Sequence, residues 1–373
     1  MAEPLRVLMT STSYPESRQD WRGRFIFDMA CALGQRSQIN LALWAPPGDL
    51  PARVFAEMLP DEARWLDQMA QQGGIAEALK PLRWKSVGMI FGLLIRLRAL
   101  YQRSASKTDL YHVNWLQNAL PAMGTKTPLL VTILGSDYAL LKVPGMVALL
   151  RMVLRRRRAI LAPNADWMRL RLEQKFGDLA EIRTIPFGIA APWFEVKRVE
   201  GADVGWLMVL RITQKKMGPL FEWGQGKFTP EQPLHLFGPM QEELVLPDWI
   251  KWHGPSHPEA LCNEWFPRAS GFITLSQHDE GRPQVILEAM AAGLPVIASN
   301  IPAHQDLIRH GDTGWLAGDE REFAQGLALL KCRERNLAIG EAGRAWVRKM
   351  PGTWQDCADR YLDAYRALLE PVT

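Results

Sequence analysis

Short, apolar, β-branched runs alternate with helix-patterned segments along this chain, and the alternation starts afresh halfway through. In the first half LRVLMTST (Leu5 to Thr12), INLALWAP, DLYHVNW and PLLVTILG read as strands. In the second, GWLMVLR (Gly205 to Arg211), PLHLFG, SGFITLS (Ser270 to Ser276) and PVIAS (Pro295 to Ser299) read the same way. RFIFDMACALG carries apolar residues at helical spacing and ends at Gly34, a natural stop. Such alternation gives parallel sheets with helices on both faces. The expected fold is α/β, two Rossmann-like doubly wound domains, and their facing strand ends would frame an interdomain cleft. RTIPFGIAAPWF, rich in Pro, Gly and aromatics, puts the linker near Pro186 to Pro192. The expected domains are residues 1–188 and 189–352. Residues 353–373 form a terminal helix crossing back to the first domain, with Tyr361, Leu362, Tyr365 and Leu368 on one face.

The 373 residues are too many for one ordinary core, in keeping with two domains. Cys31, Cys262, Cys332 and Cys357 are scattered, with no C-x-x-C pair and no histidine at ligand spacing. That argues against a zinc site or a disulfide framework and for a reducing compartment. The start, MAEPLRVLMTST, does not read as a signal peptide, and the longest apolar run, Val87 to Ile95, is far short of a bilayer span. The expected location is cytoplasmic. The 15 Trp are read first as core fillers. Charge is uneven: from Lys80 to Arg158 there are fourteen Lys/Arg against Asp109 and Asp137. KSVGMIFGLLIRLRALYQR and GMVALLRMVLRRRRAIL both mix apolar and basic residues at helical spacing, as helices lying on an anionic membrane do. An ordinary packed helix with a solvated basic face gives the same pattern. Nothing resembles a nucleic-acid-binding module.

The segment richest in chemistry is SQHDEGRPQVILEAMAAGLPVIAS, Ser276 to Ser299. It reads as strand, turn, helix, strand, with Gly281 in the turn, Pro283 opening a helix that runs Gln284 to Ala292, and Gly293 closing it. A helix start has unpaired N–H groups and a partial positive charge, which suits a phosphate. The amides of Gln284 and Val285 are the candidates. Glu280 and Glu288 would lie ~12 Å apart along a continuous helix. That does not suit two carboxyls flanking one bond. Two ends of one extended ligand suit it better, although Glu288 also fits as a plain surface residue.

This segment resembles the donor-binding motif of the family 4 retaining glycosyltransferases (group 1, GT-B fold). In that motif two glutamates stand eight positions apart, followed by EAMA-G-PV-AS. Glu280, Gly281, Glu288, Ala289, Met290, Ala291, Gly293, Pro295, Val296, Ala298 and Ser299 match it. The resemblance implies that Glu280 contacts sugar hydroxyls and Glu288 ribose hydroxyls. STSYPESRQDWRGRFIFDMACAL resembles the family's first glycine loop, with Gly23 near the donor phosphates. VLRITQKKMG resembles its basic element, with Arg211 and Lys216 as the two cations that stabilise a leaving diphosphate. IPFGIAAPWF resembles the interdomain stretch. The family usually has His-Gly-x-Asp after the fourth strand. Here the residues are Leu134, Gly135, Ser136 and Asp137.

The resemblance implies a retaining hexosyltransferase that moves a sugar from a UDP- or GDP-sugar to a glycan or lipid-linked acceptor in cell-surface polysaccharide or glycolipid assembly. No D-x-D pair occurs in the sequence, which fits an enzyme needing neither metal nor other cofactor. Asp137, Arg211, Lys216 and Glu280 are the candidate catalytic residues, with no protein nucleophile assigned. Gly23, Gly281, Gln284, Val285 and Glu288 join three of them, Arg211, Lys216 and Glu280, in donor binding. His112 and Ser136 are candidate cleft residues. Two alternatives stand beside this reading: a nucleotide-sugar epimerase of the same fold, and a non-catalytic scaffold, which Leu134 keeps open. The expected partners are the donor, the acceptor and an anionic membrane surface, and not nucleic acid.

Overall fold

The structure is a computed structural model that describes residues 3–17, 20–73, 84–201, 204–278 and 280–370, without the side chains at 84–86 and 136. The chain divides into two compact units, Met1–Phe187 with Trp354–Thr373, and Gly188–Thr353.

In the first unit seven strands form one sheet: β1 Leu5–Thr10, β2 Ile39–Trp44, β3 Val54–Ala56, β4 Leu110–Asn114, β5 Leu129–Ile133, β6 Ala159–Pro163 and β7 Glu181–Ile182. Their order is β3-β2-β1-β4-β5-β6-β7, and every pairing is parallel. β4, β5 and β6 are buried along their whole length, as strands of a parallel sheet covered on both faces are. The terminal helix Trp354–Leu369 packs on the helix Arg24–Gly34, and Arg36 ties it down through Gln355 and Asp359. Tyr361, Leu362, Tyr365 and Leu368 all point inward, as the spacing predicts.

In the second unit six strands follow: β8 Trp206–Val209, β9 Leu234–Phe237, β10 Ile250–Trp252, β11 Gly271–Thr274, β12 Val296–Ser299 and β13 Trp315–Ala317. The order is β10-β9-β8-β11-β12-β13, again wholly parallel. Separate apolar clusters fill the two faces of this sheet. In both sheets the strand order reverses at one point, between β1 and β4 and between β8 and β11. Doubly wound sheets bind ligands at the carboxyl ends of the strands flanking that reversal.

One expected helix is cut short. GMVALLRMVLRRRRAIL is helical only over Met146–Leu154, and its last residues belong to β6. The reason lies in the arginines. Arg157 donates to the carbonyls of Val153, Ala122, Thr125 and Thr127, closing the helix end against the next loop. The Leu129 amide then pairs with the Arg158 carbonyl and starts the strand. The helix Trp84–Ser104 forms as expected. Lys80 and Arg83, counted in the basic stretch, lie outside the described residues. Among the described residues no helix is long and apolar enough to cross a membrane.

Candidate functional site

In the second unit the chain leaves β8 and turns at once into a one-turn helix, Gln214–Met217. Thr213 caps it, its Oγ1 accepting the Lys216 amide at 3.3 Å, which fixes where Lys216 starts. Gly218 follows with φ +56°, and a Cβ there would lie 1.9 Å from the Leu275 carbonyl oxygen. The segment therefore rests directly on the chain leaving β11. The Gln277 amide fastens the two by donating to the Lys215 carbonyl at 2.8 Å.

Across that contact Lys216 and Glu280 form an ion pair, Nζ to Oε1 3.1 Å, both side chains about 15% exposed. The Ser276 hydroxyl donates to the same oxygen at 3.0 Å. Burial pushes the Glu280 carboxyl up, but the Lys216 charge and these hydrogen bonds outweigh it and hold it below the usual carboxylate range. A buried charge of this kind needs a partner, and each supplies the other's. Arg211, at the end of β8, is exposed and has no hydrogen-bond or ion-pair partner among the described residues. The pair thus sits past the carboxyl ends of β8 and β11, at the reversal of the sheet, with Arg211 on the same segment.

Pro283 caps the helix Gln284–Ala291 one position earlier than its expected place inside it, and the helix ends one residue sooner than expected. Gly293, at φ +73°, turns the chain out of it. Gln284 and Val285 are its first two residues, whose amides have no acceptor within the helix. The Gln284 side chain is occupied, donating to the Gly188 carbonyl at 2.6 Å. Gly281 is buried beside Glu280. Glu288, on the second turn, is half-buried, and its charge reaches Cys262. Glu280, Gly281, Gln284, Val285 and Glu288 thus lie on one continuous turn and helix, with Lys216 joined to it through Glu280.

The remaining candidates belong to the first unit. Gly23 caps the helix Arg24–Gly34 at φ +67°, and a Cβ on it would stand 2.6 Å from the Tyr14 amide nitrogen, so the loop after β1 folds back onto the helix start. Asp137 is buried. One carboxylate oxygen accepts the Leu116 amide at 2.9 Å and the other the Leu134 amide at 2.9 Å. Burial raises its pKa to about 6 even against these bonds and those from Gly135 and its own amide. It therefore ties the loops after β4 and β5 together, and its oxygens already hold protein donors. The Ser136 side chain lies outside the described residues.

His112 is not a cleft residue. It is fully buried on β4, with Nδ1 2.6 Å from the Tyr365 hydroxyl and Nε2 2.8 Å from the Thr132 hydroxyl, which also meets Tyr361 at 2.9 Å. Burial lowers its pKa to about 3. It is a neutral link between the sheet and the terminal helix. The sequence reading missed His304, buried in the short helix Pro302–Gln305 after β12, which is electrostatically coupled to Glu280 and Lys216. One histidine in PAHQ carries no spacing pattern that could have signalled it.

Residues 224–331 match the family model described as glycosyl transferases group 1, a range that contains Glu280 to Glu288 and His304 but not Arg211 or Lys216. Among curated relatives, the chain is 30% identical over 136 residues to the spore coat protein SA of Bacillus subtilis, covering 35% of this chain and 34% of that protein. It is 25% identical over 215 residues to the D-inositol 3-phosphate glycosyltransferase of Segniliparus rotundus, covering 56% and 47%. A GDP-mannose-dependent alpha-(1-6)-phosphatidylinositol monomannoside mannosyltransferase of Mycobacterium tuberculosis is 41% identical over 91 residues, 23% of either chain. The chain spans about half or less of the length of these relatives. Two solved structures share its fold almost end to end. Sucrose-phosphate synthase from Thermosynechococcus elongatus has a TM-score of 0.71 at 16% identity, covering 98% of this chain and 99% of that one. Anabaena HepE in complex with UDP has 0.69 at 14% identity, covering 98% and 100%. The two parallel sheets are those of the GT-B glycosyltransferase fold.

Proposed function

From the kinship of residues 224–331 with the group 1 glycosyl transferases, we propose that this chain moves a sugar from a nucleoside-diphosphate sugar to a glycan or lipid-linked acceptor, with retention at the anomeric carbon. The observation that carries this reading is the Lys216–Glu280 pair at the reversal of the second sheet, one turn ahead of the free amides of Gln284 and Val285. A diphosphate bound there would meet Lys216, Arg211 and the helix start. These charges stabilise the leaving group as negative charge builds on it. Glu280 would accept from sugar hydroxyls and Glu288 from ribose hydroxyls. The leaving diphosphate would take the acceptor's proton, so the route needs no protein nucleophile and no metal. Asp137 would act at one remove, by holding Leu116 and Leu134 in place.

HepE has been solved with UDP-glucose, and the mycobacterial relative is GDP-mannose-dependent, so both nucleotides belong in the donor panel. Assembly of a cell-surface polysaccharide or glycolipid, at the inner membrane face, is the setting that suits the basic first unit. A second reading, binding without turnover, is favoured by Leu134, which stands where the family usually has histidine. Release of nucleoside diphosphate that depends on added acceptor separates the two. Transfer predicts acceptor-dependent release, and Lys216→Ala or Glu288→Ala cutting it by about 100-fold or more. Full activity in both variants would remove these residues from the site, whereas tight donor binding with no release would favour the scaffold.

A further inference from the structure

His304 is fully buried, and its Nδ1 lies 2.9 Å from the Ser299 carbonyl oxygen and 3.1 Å from the Ser299 hydroxyl. A carbonyl oxygen only accepts, so Nδ1 carries the proton and Nε2 is left with a lone pair. The Ser299 hydroxyl gives its own proton to the Ser276 carbonyl at 2.5 Å, and the Ser276 hydroxyl in turn donates to Glu280. Through these serines the ring is fastened to the carboxylate that pairs with Lys216, and three strand ends, β8, β11 and β12, meet in one polar cluster. The other polar atoms of that chain of contacts have partners, but the buried Nε2 has none among the described residues. The large majority of buried polar atoms are paired, and one left over beside a candidate site calls for an explanation. The charges that act on the ring are those of Glu280 and Lys216, the two groups of the candidate site.

We propose that His304 is a ligand-binding residue of this site, its Nε2 accepting a hydrogen bond from a hydroxyl of the sugar being transferred. The proposal rests on the transferase reading and adds to it a sugar contact outside the two-glutamate motif. The lone pair decides the ligand chemistry. A phosphate at this pH offers acceptors, which repel a lone pair, whereas a sugar hydroxyl offers a donor. His304 should therefore read the sugar and not the diphosphate.

Calorimetric titration with the pairs UDP and UDP-glucose, and GDP and GDP-mannose, tests this on the full chain. In His304→Asn the side-chain amide can replace the Nδ1–H bond to Ser299 while nothing replaces Nε2. Affinity for the nucleotide sugar should fall by about three- to tenfold, the worth of one hydrogen bond, with the nucleoside diphosphate unchanged. His304→Gln reaches towards the Nε2 position and should recover part of the loss. Equal weakening of both ligands in His304→Asn would make the residue a structural brace, and no weakening of either would leave Nε2 without a ligand contact; each result overturns the proposal. Should both variants unfold, wild-type protein with 15N-labelled histidine decides, since the Nε2 resonance must move with the nucleotide sugar and stay with the diphosphate. Wild-type protein that binds neither pair sinks the transferase reading itself, and His304's role with it.

Discussion

His112 and His304 are both fully buried histidines, yet their surroundings separate them. Both ring nitrogens of His112 meet protein hydroxyls, so nothing is left for a ligand. That makes it a stability element with a pH signature. Its pKa is about 3 in the folded chain, against an ordinary value of 6.5 once unfolded. The unfolded chain therefore binds a proton first, and the stability His112 contributes above pH 6.5 is lost as pH falls towards 3, at about 1.4 kcal/mol per pH unit. Asp137 works the other way. Its pKa, raised to about 6 from 3.8, makes the folded form take up the proton first, so stability is gained as pH falls through that window. Comparing wild type with His112→Gln cancels the Asp137 contribution. The thermal midpoint of wild type should fall more steeply between pH 7 and 5 than that of the variant, and parallel curves would count against a neutral, buried His112. At this scale the sequence exposed Lys216 and Glu280 because each stands in a spaced motif. It hid His304, whose link to Glu280 runs from its neighbour Ser299 to Ser276, a residue brought alongside by the parallel pairing of β11 with β12.

At the scale of elements, β4 and β5 were legible because burial on two sides makes most of their residues apolar, LYHVN and LLVTI. β3, β7, β10 and β13 are two or three residues long, too short to show any period. β6 was lost for a different reason: its apolar residues continue the pattern of the helix before it, and only the carbonyls that Arg157 collects mark the break. The contact that matters most for the site is also invisible in the sequence. Gly218 has φ +56° and ψ −139°, a conformation open to little but glycine, with the Leu275 backbone against it. Gly218→Ala should cost about 1–3 kcal/mol in stability and lift the Lys216 segment off the chain after β11. Affinity for UDP-glucose or GDP-mannose, whichever the wild type holds, should drop along with the thermal midpoint. A variant that loses stability but binds the donor normally would mean that Lys216 does not depend on this seat.

The whole molecule divides its charge as it divides its fold. The first unit carries 27 Lys/Arg against 20 Asp/Glu, and the second 17 against 20. The basic excess counted from Lys80 to Arg158 overstates what solvent sees. Arg103 is paired with Glu62, Arg151 with Asp178, and Arg98, Arg157 and Arg158 donate to backbone carbonyls. Lys107, Lys126, Lys142, Arg155 and Arg156 stay exposed. The two segments that the sequence marks as mixing apolar and basic residues also keep apolar side chains exposed. Val87, Phe91 and Ile95 recur every fourth residue on the exposed side of the helix Trp84–Ser104, and Leu149 and Met152 are exposed on Met146–Leu154; both helices pack on the segment Leu116–Ala122. Apolar residues at helical spacing among exposed cations suit an anionic bilayer surface, where each cation contributes about 1 kcal/mol and falls off with added salt. The chain should therefore sediment with vesicles containing phosphatidylglycerol at low salt and much less at high salt. Replacing Arg155 and Arg156 together by serine should lower partitioning about tenfold or more. Phe91→Glu should lower it further without touching the donor site, so nucleoside diphosphate binding remains as the control. Absence of binding to anionic vesicles at low salt would leave these helices as ordinary covers of the sheet, and the acceptor would then have to be sought among soluble glycans.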